Sequence, residues 1–209
     1  MIVNNCEQYS DEWYKFRLGK PSSSSFNKLI TSTGAASKSM EAYAQKLAGD
    51  LFAGNDIDAW EGNRFTERGH EIEEEARSYY SMMFDKEVIQ VGSVSDTMGR
   101  WITSPDGMVD EDIEGEGVLE IKCLPKKHIA ALLYYKENGK TPPDYIQQTQ
   151  GQLFITERKW VDLLYYHPDL PKIVIRQYPD EKIQTALEKQ LKACITERNL
   201  TLNILKEIA

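Results

Sequence analysis

Two short runs carry residue types from which hydrolytic chemistry can be built: Ser104-Pro105-Asp106-Gly107 and Glu120-Ile121-Lys122. Pro-Asp-Gly marks a turn, and Val118 to Cys123 reads as an apolar strand interrupted by two charges. Strand alternation puts Val118, Glu120 and Lys122 on one face, and Leu119, Ile121 and Cys123 on the other. On its own, Glu-x-Lys also suits the solvent face of an edge strand. The turn aspartate ahead of the strand alters that reading. Asp106 and Glu120 supply hard oxygen ligands and the Ile121 carbonyl another, which is the donor chemistry of Mg²⁺, an ion that fills its remaining positions with water and phosphate oxygens. A lysine beside such an ion can orient the attacking water while the ion polarises the scissile phosphate. The chemistry expected is metal-dependent phosphodiester cleavage.

These runs need elements to hold them. Phe26, Leu29 and Ile30 follow Ser22-Ser23-Ser24-Ser25 at helical spacing, so the serines are expected to cap a helix. Residues 38 to 53 read as a helix ended by a turn-rich stretch from Gly54 to Gly62, and a stronger helix runs from about Thr66 to Phe84. Three strands follow (Val88 to Val94, Arg100 to Thr103, Val118 to Cys123), with Asp106 in the turn before the last. Helices are expected at Lys126 to Lys136 and Asp144 to Glu157, strands at Trp160 to Tyr166 and Ile173 to Tyr178, and an amphipathic helix from about Asp180 to Ile208. This order predicts an α/β (α+β) layered domain with a mixed sheet.

A chain of 209 residues with 41% hydrophobic and 28% charged residues fits a single ordered domain spanning 1–209. The start has no basic region followed by an apolar run, and no stretch approaches the roughly 18 apolar residues of a membrane span, so a soluble cytoplasmic protein with no membrane contact is expected. Three dispersed cysteines, Cys6, Cys123 and Cys194, suit reduced, buried small hydrophobes rather than disulfides or zinc. A net charge of −8 argues against global attraction to nucleic acid, though a local basic channel within an acidic protein would suffice.

Taken together, Pro105-Asp106 and Glu120-Ile121-Lys122 resemble the PD-(D/E)xK nuclease superfamily. Four ordered blocks resemble more narrowly its phage lambda-type exonucleases, the YqaJ-like viral recombinase family: Trp13-Tyr14-Lys15-Phe16-Arg17-Leu18-Gly19 followed by serines, Gly69 to Arg77, Ser104 to Gly107 with Leu119 to Cys123, and Tyr145 to Thr156. The resemblance implies a restriction-endonuclease-like core with a central mixed β-sheet flanked by helices. It assigns Glu73 as a further metal-site carboxylate, and the spacing of Glu73, Ala76 and Tyr80 on one helical stripe agrees; Glu71, Glu74 and Glu75 are expected on the solvated side. It implies a 5′-phosphate pocket of Arg17, Ser24, Ser104 and Gln148, a set whose guanidinium and hydroxyl or amide donors suit phosphate oxygens. Gln150 matches a second family glutamine. After the lysine of the motif the lambda-type pattern has an arginine where this chain has Lys126, Lys127 and His128, and which of these contacts DNA is left open.

The activity so implied is a 5′-to-3′ double-strand DNA exonuclease using Mg²⁺, with Mn²⁺ as substitute and two ions in the site. Asp106, Glu120, Glu73 and the Ile121 carbonyl would be ligands and Lys122 the catalytic lysine. The implied partners are linear double-stranded DNA, a single-strand annealing recombination protein, and two further copies in a ring-shaped homotrimer. Rival readings are a restriction-like or structure-selective endonuclease, which the phosphate pocket disfavours, and a non-catalytic DNA-end-binding protein, which the intact Asp106, Glu120 and Lys122 disfavour. Iron-sulfur relatives need four cysteines, and three are present.

Overall fold

Strand β5 (Gly117–Lys122) is the axis of the larger sheet because its side chains are buried on both faces. It lies antiparallel to β4 (Gly107–Val109) and parallel to β6 (Trp160–Tyr165), and β6 pairs antiparallel with β7 (Ile173–Gln177), giving the mixed order β4-β5-β6-β7. Gly117 is required by this register: a Cβ there would sit 2.2 Å from the indole of Trp160 on the neighbouring strand. The structure, a computed structural model, describes residues 1–56 and 64–209, apart from the side chains of residues 64–71.

A second, antiparallel sheet joins β1 (Ile2–Asn4), β2 (Ser93–Ser95) and β3 (Ile102–Thr103). It departs from the expected strand at Val88 to Val94. Gly92 passes so close to the first residues that a Cβ would meet the Cys6 carbonyl at 2.2 Å. The run is therefore broken, with Ile89 bridging to Met108 while the strand proper starts at Ser93. The expected mixed sheet is present, but Gly107–Val109 was not anticipated as one of its strands.

Helices cover both faces of the larger sheet. On one side α3 (Arg64–Phe84) lays Ala76 and Tyr80, both fully buried, against Leu119, Ile121 and Leu164. On the other, α5 (Ile146–Thr156) sets Leu153 against Val118 and Val161, so the face bearing Glu120 is roofed by protein. Helix α6 (Glu181–Ile208), capped by Asp180, packs Ile183, Leu187 and Leu191 with Tyr43, Ala44 and Leu47 of α2 (Met40–Ala53). Helix α4 (Pro125–Asn138) opens with proline at its first position, where the missing N–H costs nothing.

The serine run forms a short 3-10 helix, Ser23–Lys28, without side-chain capping. The hydroxyl expected to cap is engaged elsewhere: Ser22 Oγ accepts from Arg17 Nη2 at 2.8 Å and lies 3.2 Å from Ser24 Oγ. Capping does occur at Ser10, whose Oγ accepts from the Trp13 N–H and starts α1 (Asp11–Arg17), with acidic residues in its first turn and Arg17 in its last. The three cysteines are free thiols, as expected, but only Cys194 is fully buried. Of the turn-rich stretch, Gly54 ends α2 in a left-handed conformation, and residues 57–62 lie outside the described residues. No helix among the described residues is long and apolar enough to cross a membrane.

Candidate active site

A cavity of about 200 Å³ opens between α1, the serine turn, α3 and the ends of β3 and β5. Asp106, Glu120, Lys122, Glu73, Arg17, Ser24, Ser104 and Gln148, drawn from segments far apart in the chain, all line it.

Asp106 is set by main-chain contacts on either side. Its Oδ2 accepts from the Ile121 N–H at 2.5 Å, which fixes the turn against β5, and its own carbonyl accepts from Arg77 Nε at 2.9 Å, which fixes it to α3. Gln8 donates to the Pro105 carbonyl and to that of Val91, both at 3.0 Å. Gly107 is needed because a Cβ would lie 2.2 Å from the Val88 side chain. Helix α3 is anchored in turn by Tyr80, whose hydroxyl donates to the buried Asp162 at 2.6 Å; Arg176 holds the same carboxylate through Nε and Nη2, both at 2.8 Å. The stripe that buries Ala76 and Tyr80 therefore delivers Glu73, partly buried, to the cavity wall.

Glu120 is only 2% exposed, which overturns the alternative of a solvent-facing strand. A buried carboxylate is costly unless its oxygens are satisfied, and here they are. Oε1 accepts from Lys122 Nζ and from Gln148 Nε2, the latter at 2.6 Å, while Oε2 accepts from Gln152 Nε2. Gln148 and Gln152 lie one turn apart on α5 and so present their amides to one carboxylate.

The electrostatics of the cluster follow from this crowding. Burial and the nearby carboxylates of Glu120 and Glu73 hold the Asp106 carboxyl well above its ordinary range, against the opposing pull of Lys122 and the Ile121 N–H. Burial works against the charge on Lys122, yet Glu120 and Asp106 outweigh it and keep the amine protonated above the usual lysine range. Lys122 donates a hydrogen bond to the Glu120 carboxylate. Among the described residues, no three His, Cys, Asp or Glu side chains converge closely enough to grip a metal ion. The donor chemistry is nonetheless that of a hard-cation site, with like-charged carboxylates left in mutual repulsion.

Beside this cluster is a second set of donors. Arg17 directs Nη1 to Ser104 Oγ at 2.9 Å and Nη2 to Ser22 Oγ at 2.8 Å, and its guanidinium stacks 4.2 Å from the centre of the Trp13 ring. Trp13 Nε1 also donates to Ser104 Oγ, at 3.0 Å. Arg17 and Ser104 therefore meet as expected, Ser24 joins through Ser22, and Gln148 lies on the carboxylate side, bonded to Glu120. Ser22 and Gln152 were missed: Ser22 is indistinguishable within a run of serines, whereas Gln152 could have been found from its position four residues after Gln148.

The remaining expected residues separate cleanly. Gln150 has a packing role, donating to the Tyr178 carbonyl at 2.9 Å and accepting from the Asp180 N–H at 2.8 Å. His128 is fully buried with Nε2 2.6 Å from the Pro171 carbonyl, which removes it as a surface contact, while Lys126 and Lys127 stay exposed. Lys127 pairs with Asp144 at 2.8 Å. Glu74 and Glu75 are exposed, though Glu75 accepts from Tyr166 Oη at 2.6 Å; the Glu71 side chain lies outside the described residues.

Comparison with known proteins gives a consistent picture. The chain is similar to the crystal structure of an alkaline exonuclease, LHK-Exo, from Laribacter hongkongensis, with 29% identity and a TM-score of 0.78 over 95% of this chain and 97% of that one; LHK-Exo in complex with dAMP matches equally. A phage related exonuclease from Haemophilus somnus 129PT, 16% identical with a TM-score of 0.63, shares the fold over 91% of this chain and 96% of its own. No curated protein matches in sequence. The profile of the YqaJ-like viral recombinase domain matches residues 12–159, well over half of the chain and including every residue that lines the cavity except Gln8 and Tyr9, and the protein belongs to that family.

Proposed function

We propose that this protein is a metal-dependent 5′-to-3′ exonuclease of double-stranded DNA that leaves 3′ single-stranded tails. The observation that carries the reading is the junction of two chemistries in one cavity: an acidic cluster with a protonated lysine on one side, an arginine with serine hydroxyls on the other. The likeness to LHK-Exo supports the nuclease class.

Asp106, Glu120, Glu73 and the Ile121 carbonyl would hold Mg²⁺, or Mn²⁺ in its place, as two ions. Bound there, the metal supplies a polarised phosphate and an acidified water. Lys122, which donates to Glu120 Oε1 beside Gln148, would present its ammonium to the attacking water or the phosphate. Arg17 offers a fork of donors to the oxygens of a terminal 5′-phosphate, with Ser104 and Ser24 completing the shell. Hydrolysis forms a bond from water oxygen to phosphorus and breaks the bond from phosphorus to O3′. The released mononucleotide keeps its 5′-phosphate, and the shortened strand acquires a new one. Each cut therefore regenerates the group that Arg17 recognises, which suits stepwise digestion.

The substrate is then linear duplex DNA. Family membership supports, as further parts of this reading, a ring-shaped homotrimer around the duplex, action in the cytoplasm of a phage host, and a single-strand annealing protein as partner. The test is digestion of end-labelled linear and covalently closed circular duplexes with Mg²⁺ and with EDTA. Mononucleotides released from 5′ ends, only with Mg²⁺ and only from linear DNA, are expected. Rapid cutting of closed circles would replace this reading with an endonuclease.

A further inference from the structure

Tyr9 has a left-handed backbone, with φ of +68°, where a large side chain is crowded by its own main chain and glycine is not. Among the described residues, the other non-glycine residues with positive φ, Asp85 and Glu157, follow the ends of α3 and α5, where such a conformation serves as a helix stop. Tyr9 terminates no helix. It precedes α1 and is fixed from both sides: Gln8 is tied to the Val91 and Pro105 carbonyls, and Ser10 caps α1 while donating to the Glu7 carbonyl at 2.6 Å. Strained positions persist where the surroundings over-determine them, and they concentrate at ligand clamps.

The ring so held faces the cavity. Tyr9 lines it together with Arg17, Ser104 and Asp106. It lies tilted at 5.1 Å from Trp13, the ring that carries the Arg17 guanidinium. Arg17, Trp13 and Tyr9 thus stand in contact one after another, and Tyr9 is 45% exposed. Burial and the nearby Glu73 and Asp106 carboxylates push its hydroxyl up to about 12, so it remains a neutral phenol beside the acidic cluster. A neutral, partly exposed ring beside a phosphate site is what a nucleobase can stack on, and such stacking tolerates any base because every base has a π-face.

We propose that Tyr9 is the stacking platform for the base of the 5′-terminal nucleotide, holding the nucleoside while Arg17 and the serines hold its phosphate. This rests on the reading of the cavity as a 5′-phosphate site. The test compares kcat/KM for release of the first nucleotide from three linear duplexes: 5′-phosphorylated with a terminal base, 5′-phosphorylated with a terminal abasic site, and 5′-hydroxyl with a base. The wild type is expected to favour the base over the abasic end by about fivefold or more, the lower bound of base–aromatic stacking, mainly through KM. Tyr9→Gly should abolish that ratio while keeping the preference for a 5′-phosphate, and Tyr9→Trp should retain both. Glycine suits the backbone at this position, so Tyr9→Gly should melt no lower than the wild type; if it does melt lower, the ratio in Tyr9→Trp and Tyr9→Leu decides, with loss in leucine alone supporting the platform. An unchanged base-to-abasic ratio in Tyr9→Gly, or none in the wild type, overturns the proposal. Equal rates on 5′-phosphate and 5′-hydroxyl ends in the wild type would instead overturn the phosphate-site reading beneath it.

Discussion

Arg17 Nη1 donates to Ser104 Oγ at 2.9 Å, which ties the last turn of α1 to the residue two before Asp106. The contact couples the proposed phosphate pocket to the acidic cluster, since the main chain that places Ser104 also places Asp106. Replacing Arg17 with alanine removes a charged donor pair. Hydrogen bonds to charged groups contribute about 1.5–3 kcal/mol, so kcat/KM on 5′-phosphorylated ends is expected to fall by about 10- to 100-fold. On 5′-hydroxyl ends the loss should be much smaller, and Arg17→Lys should restore little because an ammonium cannot reproduce the fork. Equal slowing of both kinds of end would show that Arg17 acts only through the fold.

Lys122→Ala should abolish digestion and leave DNA-end binding largely intact, as measured by gel shift. Breaking a buried ion pair costs about 3–5 kcal/mol when the remaining charge is abandoned. Here the cost should be smaller, because Gln148 and Gln152 still donate to Glu120. Digestion at near wild-type rates would take Lys122 out of the mechanism.

Much of this arrangement was readable from the chain because it depends on local rules. Period-two alternation placed Glu120 and Lys122 on one face of β5, and helical spacing put Glu73 in register with Ala76 and Tyr80. What alternation cannot show is which face α5 covers; Glu-x-Lys alone suits an exposed edge, and it is the packing of Leu153 on Val118 that roofs the face of Glu120. Ser22 and Ser24 could not be told apart because their roles depend on where the Arg17 side chain lands, 5 residues away in sequence from Ser22. His128 illustrates the reverse: a basic residue beside two lysines proved to be buried, since the α4 periodicity turns it inward to Pro171 while Lys126 and Lys127 face out. The strain at Tyr9 has no sequence signature, because nothing in Gln8-Tyr9-Ser10 announces a positive φ.

Added Mg²⁺ or Mn²⁺ should stabilise the protein independently of any substrate. Asp106, Glu120 and Glu73 repel one another, and a cation bound among them relieves that repulsion in the folded state alone. At one hundred times its dissociation constant a ligand adds about 2.7 kcal/mol, which for a chain of this size raises Tm by several degrees, roughly 2–4 °C per kcal/mol. Differential scanning fluorimetry should show this shift in the wild type and its loss in Asp106→Asn. A Tm indifferent to millimolar concentrations of both ions would argue that the cluster holds no metal.

Gln152 is a positioning residue, acting on the reaction through Glu120 rather than by touching substrate. Gln152→Leu removes a donor from a buried carboxylate, a loss of about 1–3 kcal/mol. The expected result is a kcat several-fold lower with KM for DNA ends unchanged, together with a larger Mg²⁺-induced shift in Tm, because Glu120 then has an oxygen free for the cation. A rise in KM with kcat preserved would contradict the assignment.

Acid sensitivity should trace in part to Asp112, in the loop between β4 and β5. The Glu114 N–H donates to its Oδ1 at 2.8 Å, Lys86 Nζ lies 3.2 Å from its Oδ2, and Arg176 approaches from β7. The Glu114 N–H first, then Lys86 and Arg176, hold this carboxyl below its ordinary range. In the folded state it therefore gives up its proton more readily than in the unfolded chain. Its contribution to stability is fully present above the unfolded value, about 3.9 for an aspartate, and is lost as the pH falls through the lower folded value. Asp112→Asn should accordingly melt below the wild type at neutral pH, and the two Tm curves should converge as the pH drops from about 4 towards 3. Curves that stay parallel over that range would mean that Asp112 does not carry this part of the acid response, leaving the exposed Glu114, which accepts from Arg176 and Tyr178, as the next residue to vary.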